Sequence, residues 1–262
     1  MITTVLNGGL GNQMFQIAVA YALAMENNDE CAFDLNNKVV HQGNSAITYK
    51  WNFFYHLKQL SDSWKPAKVY KQTGFNYKPI PYHKNMQLEG YFQSEKFFSK
   101  YKSNIIELFM NKNTENGIRW LLKDKYSVEL RNSIGVHIRR GDYLKFPDHH
   151  PFSGHGYYYA AIDYISSCAR VDCILVFSDD IEWCRKEFQG NIVRYVNGLN
   201  DAESMCLMSL CNHNVLANSS FSWWGSYFNS NEGKITCAPK KWFGAKAESN
   251  WDDIYREEMV VL

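Results

Sequence analysis

The chain has 262 residues, a formal net charge of +1, and 45% hydrophobic and 21% charged residues, which fits one large or two modest globular domains. So even a balance offers no bulk attraction to nucleic acid or to an acidic membrane, so any anion site has to be local. No stretch approaches the roughly 18 apolar residues of a membrane helix, and MITTVLNGGLG lacks the basic flank and apolar run of a signal peptide.

The seven cysteines, with no CxxC spacing, resemble neither a zinc site nor a disulfide framework and read as reduced thiols in a cytoplasmic protein. Aromatic content is 16%; these rings are core material first and sugar or base platforms second.

Ile2 to Leu6 reads as a short strand. After it comes Asn7-Gly8-Gly9-Leu10-Gly11-Asn12-Gln13, and then Met14, Ile17, Ala18, Tyr21, Ala22 and Met25 share one face at helical spacing. This is strand, glycine loop, helix, a form that lets backbone approach a ligand and offers free N–H groups. No Gly-Lys-Ser/Thr follows, which excludes a P-loop. Gly9 and Gly11 half-match the dinucleotide fingerprint, but its third glycine position is Met14. Asp34 closes the next strand candidate, Cys31 to Leu35. A nicotinamide-dependent oxidoreductase therefore stands as one alternative.

Residues 36 to about 100 are irregular and should wrap the first sheet with short elements. Within them QLEGYF, from Gln87, is a strand candidate, and Gly90 to Ser94 a pocket rim. Ile105 to Tyr126 reads as helical and then polar, which makes the region around residues 111 to 132 the candidate domain junction.

From Ser133 strands and helices alternate. Strands are expected at Ile134 to Ile138, Cys173 to Phe177, Ile192 to Val196, Asn214 to Ala217 and Lys234 to Ala238. Helices are expected at Tyr157 to Cys168, Ile181 to Phe188, Ala202 to Cys211 and Trp223 to Asn229. Such alternation implies βαβ units and a parallel sheet with all strand C-termini on one edge.

Three polar groups would share that edge. His137, Arg139, Arg140 and Asp142 end the first strand in GVHIRRGDY. Adjacent arginines suit phosphate oxygens; the competing reading is a surface ion pair that closes the strand. Ser178, Asp179 and Asp180 follow CILVF, as acceptors for a purine edge or ribose hydroxyl, or as the cap of the next helix. Asn218, Ser219, Ser220 and Phe221 follow NVLA, either as a helix cap with aromatic packing or as a phosphate-binding turn.

GGLGNQMFQ, GVHIRRGDY and LMSLCNHNVLANSSFSWWG, in that order, resemble glycosyltransferase family 11, the α-1,2-fucosyltransferases. The resemblance runs from Asn7 to Trp224 and is thin between 36 and 130. It implies an α/β, GT-B-like fold of two Rossmann-like domains facing across a cleft. The first, residues 1–130, would lie on the acceptor side; the second, 131–262, would bind GDP-fucose. It also implies inverting transfer of L-fucose from GDP-β-L-fucose to the 2-hydroxyl of a terminal galactose, with neither cofactor nor metal. Arg139 matches the arginine on the β-phosphate, with Arg140 beside it. His137 falls near the nucleotide, and Ser219, Ser220 and Phe221 on the diphosphate loop. Asn12, in the loop of Gly9, Gly11 and Gln13, matches the position facing fucose and acceptor. One departure stands before the last motif, where Glu203-Ser204 replaces an expected Glu-Asp.

The adjacent acids Asp179-Asp180 and Asp252-Asp253 lack Asp-x-Asp spacing, in keeping with metal-free transfer. Asp142 is the candidate base, and capping the turn or orienting an arginine are its other readings. A non-catalytic nucleotide- or sugar-binding module is the second alternative. The expected partners are GDP-fucose and a galactose-terminated glycan, not nucleic acid. The expected location is cytoplasmic, with room for peripheral contact at the inner membrane face, and the oligomeric state is open.

Overall fold

A computed structural model of the chain describes residues 1–36, 43–246 and 250–262. Ile-Thr-Thr runs directly into the glycine loop, so β1 is short (Ile2–Thr4) and leads to α1 (Leu10–Glu26). The apolar face expected on α1 is in fact most of its circumference: 13 of its 17 residues are buried. Such a helix belongs inside a core rather than on its surface. β2 (Lys68–Lys71) and β3 (Met86–Glu89) complete a parallel sheet of order β1-β3-β2, which α2 (Lys102–Phe109) follows.

The strand expected at Cys31 to Leu35 reduces to two single bridges. Cys31 pairs with Ile2 but Phe33 pairs with Gln59, so successive residues share no partner strand. β3 stops at Glu89 because the next residues turn into left-handed backbone, with φ of +156° at Gly90 and +50° at Phe92. Part of the aromatic content of the irregular tract after 36 packs as core: Tyr49, Phe53, Phe54, Phe92 and Phe98 are buried, whereas Trp51, Tyr55, Tyr77, Tyr82 and Tyr91 are exposed. Residues 37–42 of that tract lie outside the described residues.

The rest of the chain builds one regular layer. In order come α3 (Trp120–Lys125), β4 (Ser133–Ile138), α4 (Gly154–Cys168), β5 (Cys173–Ser178), α5 (Ile181–Glu187), β6 (Val193–Tyr195), α6 (Asp201–Leu210), β7 (His213–Val215), α7 (Ser220–Tyr227), β8 (Thr236–Ala238) and β9 (Met259–Val261). The six strands form a wholly parallel sheet of order β6-β5-β4-β7-β8-β9. β4 lies in the middle and all six of its residues are buried, as expected of a strand covered on both faces. The fold is therefore α/β with parallel sheets, as the alternation predicts.

α6 starts at Asn200, whose side chain accepts from Glu203 N at 2.9 Å while Glu203 Oε2 accepts from Asn200 N at 2.8 Å. That reciprocal cap accounts for the glutamate of the Glu203-Ser204 departure. All seven cysteines are free thiols.

The chain divides into two compact units, Met1–Glu115 with Ser249–Ile254 and Asn116–Glu248 with Tyr255–Leu262. The split at 115/116 lies within the 111–132 region read from the sequence. Residues 116–130 join the second unit because α3 packs on α6, where Arg119 Nε donates to Ser209 Oγ at 3.2 Å. Asp253 returns to the first unit, where its carboxylate accepts from Tyr77 N at 2.8 Å and pairs with Lys96.

Candidate active site

The second unit's strand order fixes where a ligand can sit. From β4 the chain builds outward through β5 and β6 on one side, then through β7, β8 and β9 on the other. The crevice of a doubly wound sheet opens at this reversal, beyond the C-terminal ends of the two strands that flank it. Those are β4, which ends before Arg139, and β7, which ends three residues before Asn218. Since β5 pairs with β4 on its other side, all three predicted polar groups stand on one edge.

At the end of β4, His137 is buried with its ring 5.2 Å from that of Phe221. The strand ends of β4 and β7 are thereby joined by a direct contact. Burial, reinforced by the charge on Arg139, pushes the His137 imidazole down to about 3. The ring is neutral, and its buried Nδ1 has no hydrogen-bond partner.

Arg139 Nε lies 2.8 Å from Asp142 Oδ1 and 3.3 Å from Asp179 Oδ2. Burial works against its charge, and the Asp179 and Asp142 carboxylates outweigh that and hold the guanidinium above its ordinary value. With five N–H donors, it keeps capacity beyond those two contacts. Arg140 is held elsewhere: its guanidinium pairs with Asp180 and lies 4.6 Å from the Trp183 ring centroid.

At the end of β5, Asp179 Oδ1 accepts from Arg140 N at 2.9 Å. Asp180 accepts from Trp183 N at 3.3 Å as the cap of α5, and Ser178 Oγ accepts from Asp180 N at 3.0 Å. The capping alternative for Asp180 is the observed one. Asp179 contacts both arginines, which makes it part of the scaffold of the arginine loop. Trp183 was not legible as part of this arrangement, because its sequence spacing matches an ordinary helix core position.

At the end of β7, Asn218 Nδ2 donates to Pro151 O at 3.0 Å and Trp242 O at 2.9 Å. Ser219 Oγ accepts from Phe221 N at 3.3 Å as the cap of α7, and Ser220 is the first helical residue. The capping reading of these serines is therefore realised, and it places the first turn of α7 on the site's edge, with Ser219 N donating to Ala217 O at 2.8 Å. Tyr143, next to the arginine motif, donates to Asn218 O at 2.9 Å and stacks on His150 at 4.8 Å.

Behind this helix lies Arg256, 2% exposed. Its guanidinium is 4.8 Å from the Trp223 ring, and Nη2 donates to Ser226 Oγ at 2.9 Å. Nothing in the sequence ties this residue to α7, some thirty positions upstream.

In the first unit, Gly9 is the N-cap of α1 and Gly11 is a buried helical residue. Gly8 has φ +78°, and a Cβ there would stand 2.5 Å from Asn12 Nδ2, so the turn and the close approach both require glycine. Gln13 Nε2 braces the loop by donating to Gly8 O at 2.9 Å and Asn44 O at 2.8 Å. Gln16 Oε1 accepts from Asn7 N at 2.9 Å, and Gln93 Nε2 donates to Asn12 Oδ1 at 2.7 Å. The dinucleotide alternative needs Asp34 as a ribose acceptor, whereas Asp34 is exposed and accepts from Asn36 N at 3.1 Å in a local turn.

Among the described residues no group of three or more His, Cys, Asp or Glu side chains is arranged to hold a metal ion. No described helix is long and apolar enough to cross a membrane.

Comparison with known proteins follows the same lines. The chain is 30% identical to an alpha-1,2-colitosyltransferase of Escherichia coli, covering 94% of each chain. It is likewise 30% identical to the O-antigen biosynthesis glycosyltransferase WbnK of Escherichia coli, over 93% of this chain and 95% of that one. A galactoside alpha-(1,2)-fucosyltransferase 2 of Oryctolagus cuniculus is 27% identical over 86% of this chain and 66% of its own length. Among solved structures, the fucosyltransferase NodZ from Bradyrhizobium shares the fold, with a TM-score of 0.53 and 13% identity over 86% of this chain and 92% of its own. The family model described as "Glycosyl transferase family 11" matches residues 1–262. With its parallel-sheet fold, its three ordered motifs and that match over the whole length, the chain belongs to glycosyltransferase family 11.

Proposed function

We propose that the chain is an inverting galactoside α-1,2-fucosyltransferase that moves L-fucose from GDP-fucose to the 2-hydroxyl of a terminal galactose. The observation that carries this is the meeting of the arginine end of β4 and the serine end of β7 at the sheet's reversal point, through the 5.2 Å contact of His137 with Phe221. The 30% identity with an α-1,2-transferase and the 27% identity with a galactoside α-1,2-fucosyltransferase support the linkage and the acceptor.

In such a transfer the acceptor oxygen attacks C1 and the bond from C1 to the β-phosphate breaks. Its electron pair stays on the departing GDP, so stabilising that growing negative charge is the main demand. Arg139 meets it with a guanidinium set between Asp142 and Asp179, and the serine-rich first turn of α7, at the positive end of the helix dipole, supplies the second wall. Each charge-assisted contact is worth about 1.5–3 kcal/mol, so no metal ion is needed to hold the diphosphate. Arg140, locked to Asp180 and Trp183, acts by fixing the loop. Asp142, proposed from the sequence as the base, reads better as the residue that orients Arg139. Asn12 then positions the acceptor hydroxyl, whose proton leaves the attacking oxygen late, once its bond to the electron-poor C1 is forming, and passes to water.

A second reading has a specific observation behind it. The similarity to the colitosyltransferase extends over 94% of both chains, and colitose is 3-deoxy-L-fucose, so the donor pocket need differ only around one hydroxyl. The deciding experiment offers GDP-fucose and GDP-colitose with lactose and other β-galactosides, with products read by mass spectrometry and linkage by NMR. An α-1,2-fucosylated product supports the proposal. Transfer of colitose alone replaces the donor, and transfer of neither defeats the reading. Any membrane contact would be peripheral and would bring the site to a lipid-linked acceptor.

A further inference from the structure

Beyond β3 the chain takes up backbone that L residues seldom adopt. Gly90 has φ +156° and Phe92, a buried phenylalanine, has φ +50°. A bulky residue in the left-handed region is strained and persists only where its surroundings over-determine it, as at functional sites. Here they do. Gln72 Oε1 accepts from both Tyr91 N at 3.0 Å and Phe92 N at 2.8 Å. Gln16 Nε2, from α1, donates to Gly90 O at 3.1 Å, and Ser94 N donates to Phe92 O at 2.8 Å.

This strained turn presents one side chain. Gln93, 9% exposed, reaches Asn12 Oδ1 at 2.7 Å across a separation of 81 residues. The other end of the Asn12 amide lies over Gly8, where a Cβ would come within 2.5 Å of Nδ2. The carbonyl end is therefore bonded to Gln93, while the amino end lies close over Gly8. Two further oxygens nearby in the chain, Gln93 Oε1 and Gln13 Oε1, are buried without a hydrogen-bond partner, and acceptors of that kind suit a ligand rich in hydroxyl groups.

We propose that Gln93 is a positioning residue. By donating to Asn12 Oδ1 it decides which end of the Asn12 amide meets the acceptor sugar. The inference rests on the reading of Asn12 as the residue facing the acceptor. Its chemical content is narrow, because position 93 has to donate. A carboxylate of the same shape can only accept, and it would draw the Asn12 amino group toward itself and turn the amide over.

The test uses the full chain with GDP-fucose and lactose, comparing Gln93→Glu, Asn12→Ala and the double variant for kcat, acceptor KM and thermal stability from pH 5 to 8. Gln93→Glu is expected to lower kcat/KM for the acceptor roughly 10- to 100-fold through misplacement of the acceptor, with little change in Tm. The loss should shrink as pH falls, because a protonated carboxyl donates again. In the Asn12→Ala background the second substitution should add nothing. Should Gln93→Glu not fold, Gln93→Met keeps the volume without the donor and should show the same loss with no recovery at low pH. Wild-type kcat/KM in either variant, multiplying losses in the double variant, or a loss that tracks Tm and ignores pH overturns the role of Gln93 alone. Full activity of Asn12→Ala removes the Asn12 reading and this inference with it. A wild-type chain that transfers no fucose defeats the proposed function itself.

Discussion

Arg139 Nε stands 2.8 Å from Asp142 Oδ1, so the acid of the GVHIRRGDY motif is engaged in aiming the first arginine of the same motif. With Asp179 on the same nitrogen at 3.3 Å, the guanidinium is fixed before any ligand arrives. Orientation set in advance is what a group must have to stabilise charge that appears only in the transition state.

Arg139→Ala should therefore lower kcat/KM by about 10³-fold or more, in the range found for arginines that neutralise a departing phosphate, while circular dichroism and Tm stay near wild type. Arg139→Lys keeps the charge but loses the planar fork, and it should recover little of the loss. A lysine variant with near-normal turnover would mean that a point charge suffices there.

Asp142→Asn separates base from orienter. An orienter's loss, about 10- to 100-fold by misplacement, leaves the acid limb of the pH–rate profile where it was, whereas loss of a general base removes that limb. The orienter's pattern is expected, and Asp179→Asn should show it too. Asp179→Asn should in addition reduce stability by about 1–3 kcal/mol, because Arg140 N and Arg139 both lose a charged acceptor.

His137 predicts the direction of acid sensitivity. Its folded value is about 3 against an ordinary 6.5, so between these pH values the unfolded chain binds a proton that the folded chain refuses. Its contribution to stability is complete above about pH 6.5 and is lost as pH falls toward about 3, with a slope of at most about 1.4 kcal/mol per pH unit. Denaturant midpoints measured across that range should flatten in His137→Phe, which keeps a ring beside Phe221.

Arg256→Met tests the support behind α7. Losing a desolvated cation–π contact and charged hydrogen bonds should cost about 2–4 kcal/mol, read as a drop in Tm. Because Trp223 and Ser226 are on the helix whose first turn faces the site, the donor KM should rise as well.

How much of this was legible in the sequence follows from what kind of signal each part leaves. The ends of β4, β5 and β7 were readable because an apolar run followed by Gly-Asp, Ser-Asp-Asp or Asn-Ser-Ser is a local pattern. β2 was missed since Lys68–Lys71 is largely exposed and half lysine, and β9 because a three-residue run falls below any periodicity. The strand expected from Cys31 failed for the converse reason: its apolar residues pair with two different segments. Within the site, the contacts that Asp179 and Arg140 make with one another's segments had no counterpart in the sequence, whereas the capping by Asp180 was one of its two readings. A backbone hydrogen bond across 39 residues and an ion pair across 40 leave no trace in spacing, and neither does the bond from Gln93 to Asn12.

The acids around the arginines have a kinetic consequence. Arg139 and Arg140 contribute two positive charges and Asp142, Asp179 and Asp180 three negative ones, so these five side chains sum to −1. Such a cluster projects no positive field into solvent and cannot draw a polyanionic donor from beyond a Debye length, about 8–10 Å at physiological salt. Under the proposed function, a nucleotide-sugar donor would gain no long-range steering from these five side chains, and discrimination would fall to the directed N–H groups met at contact.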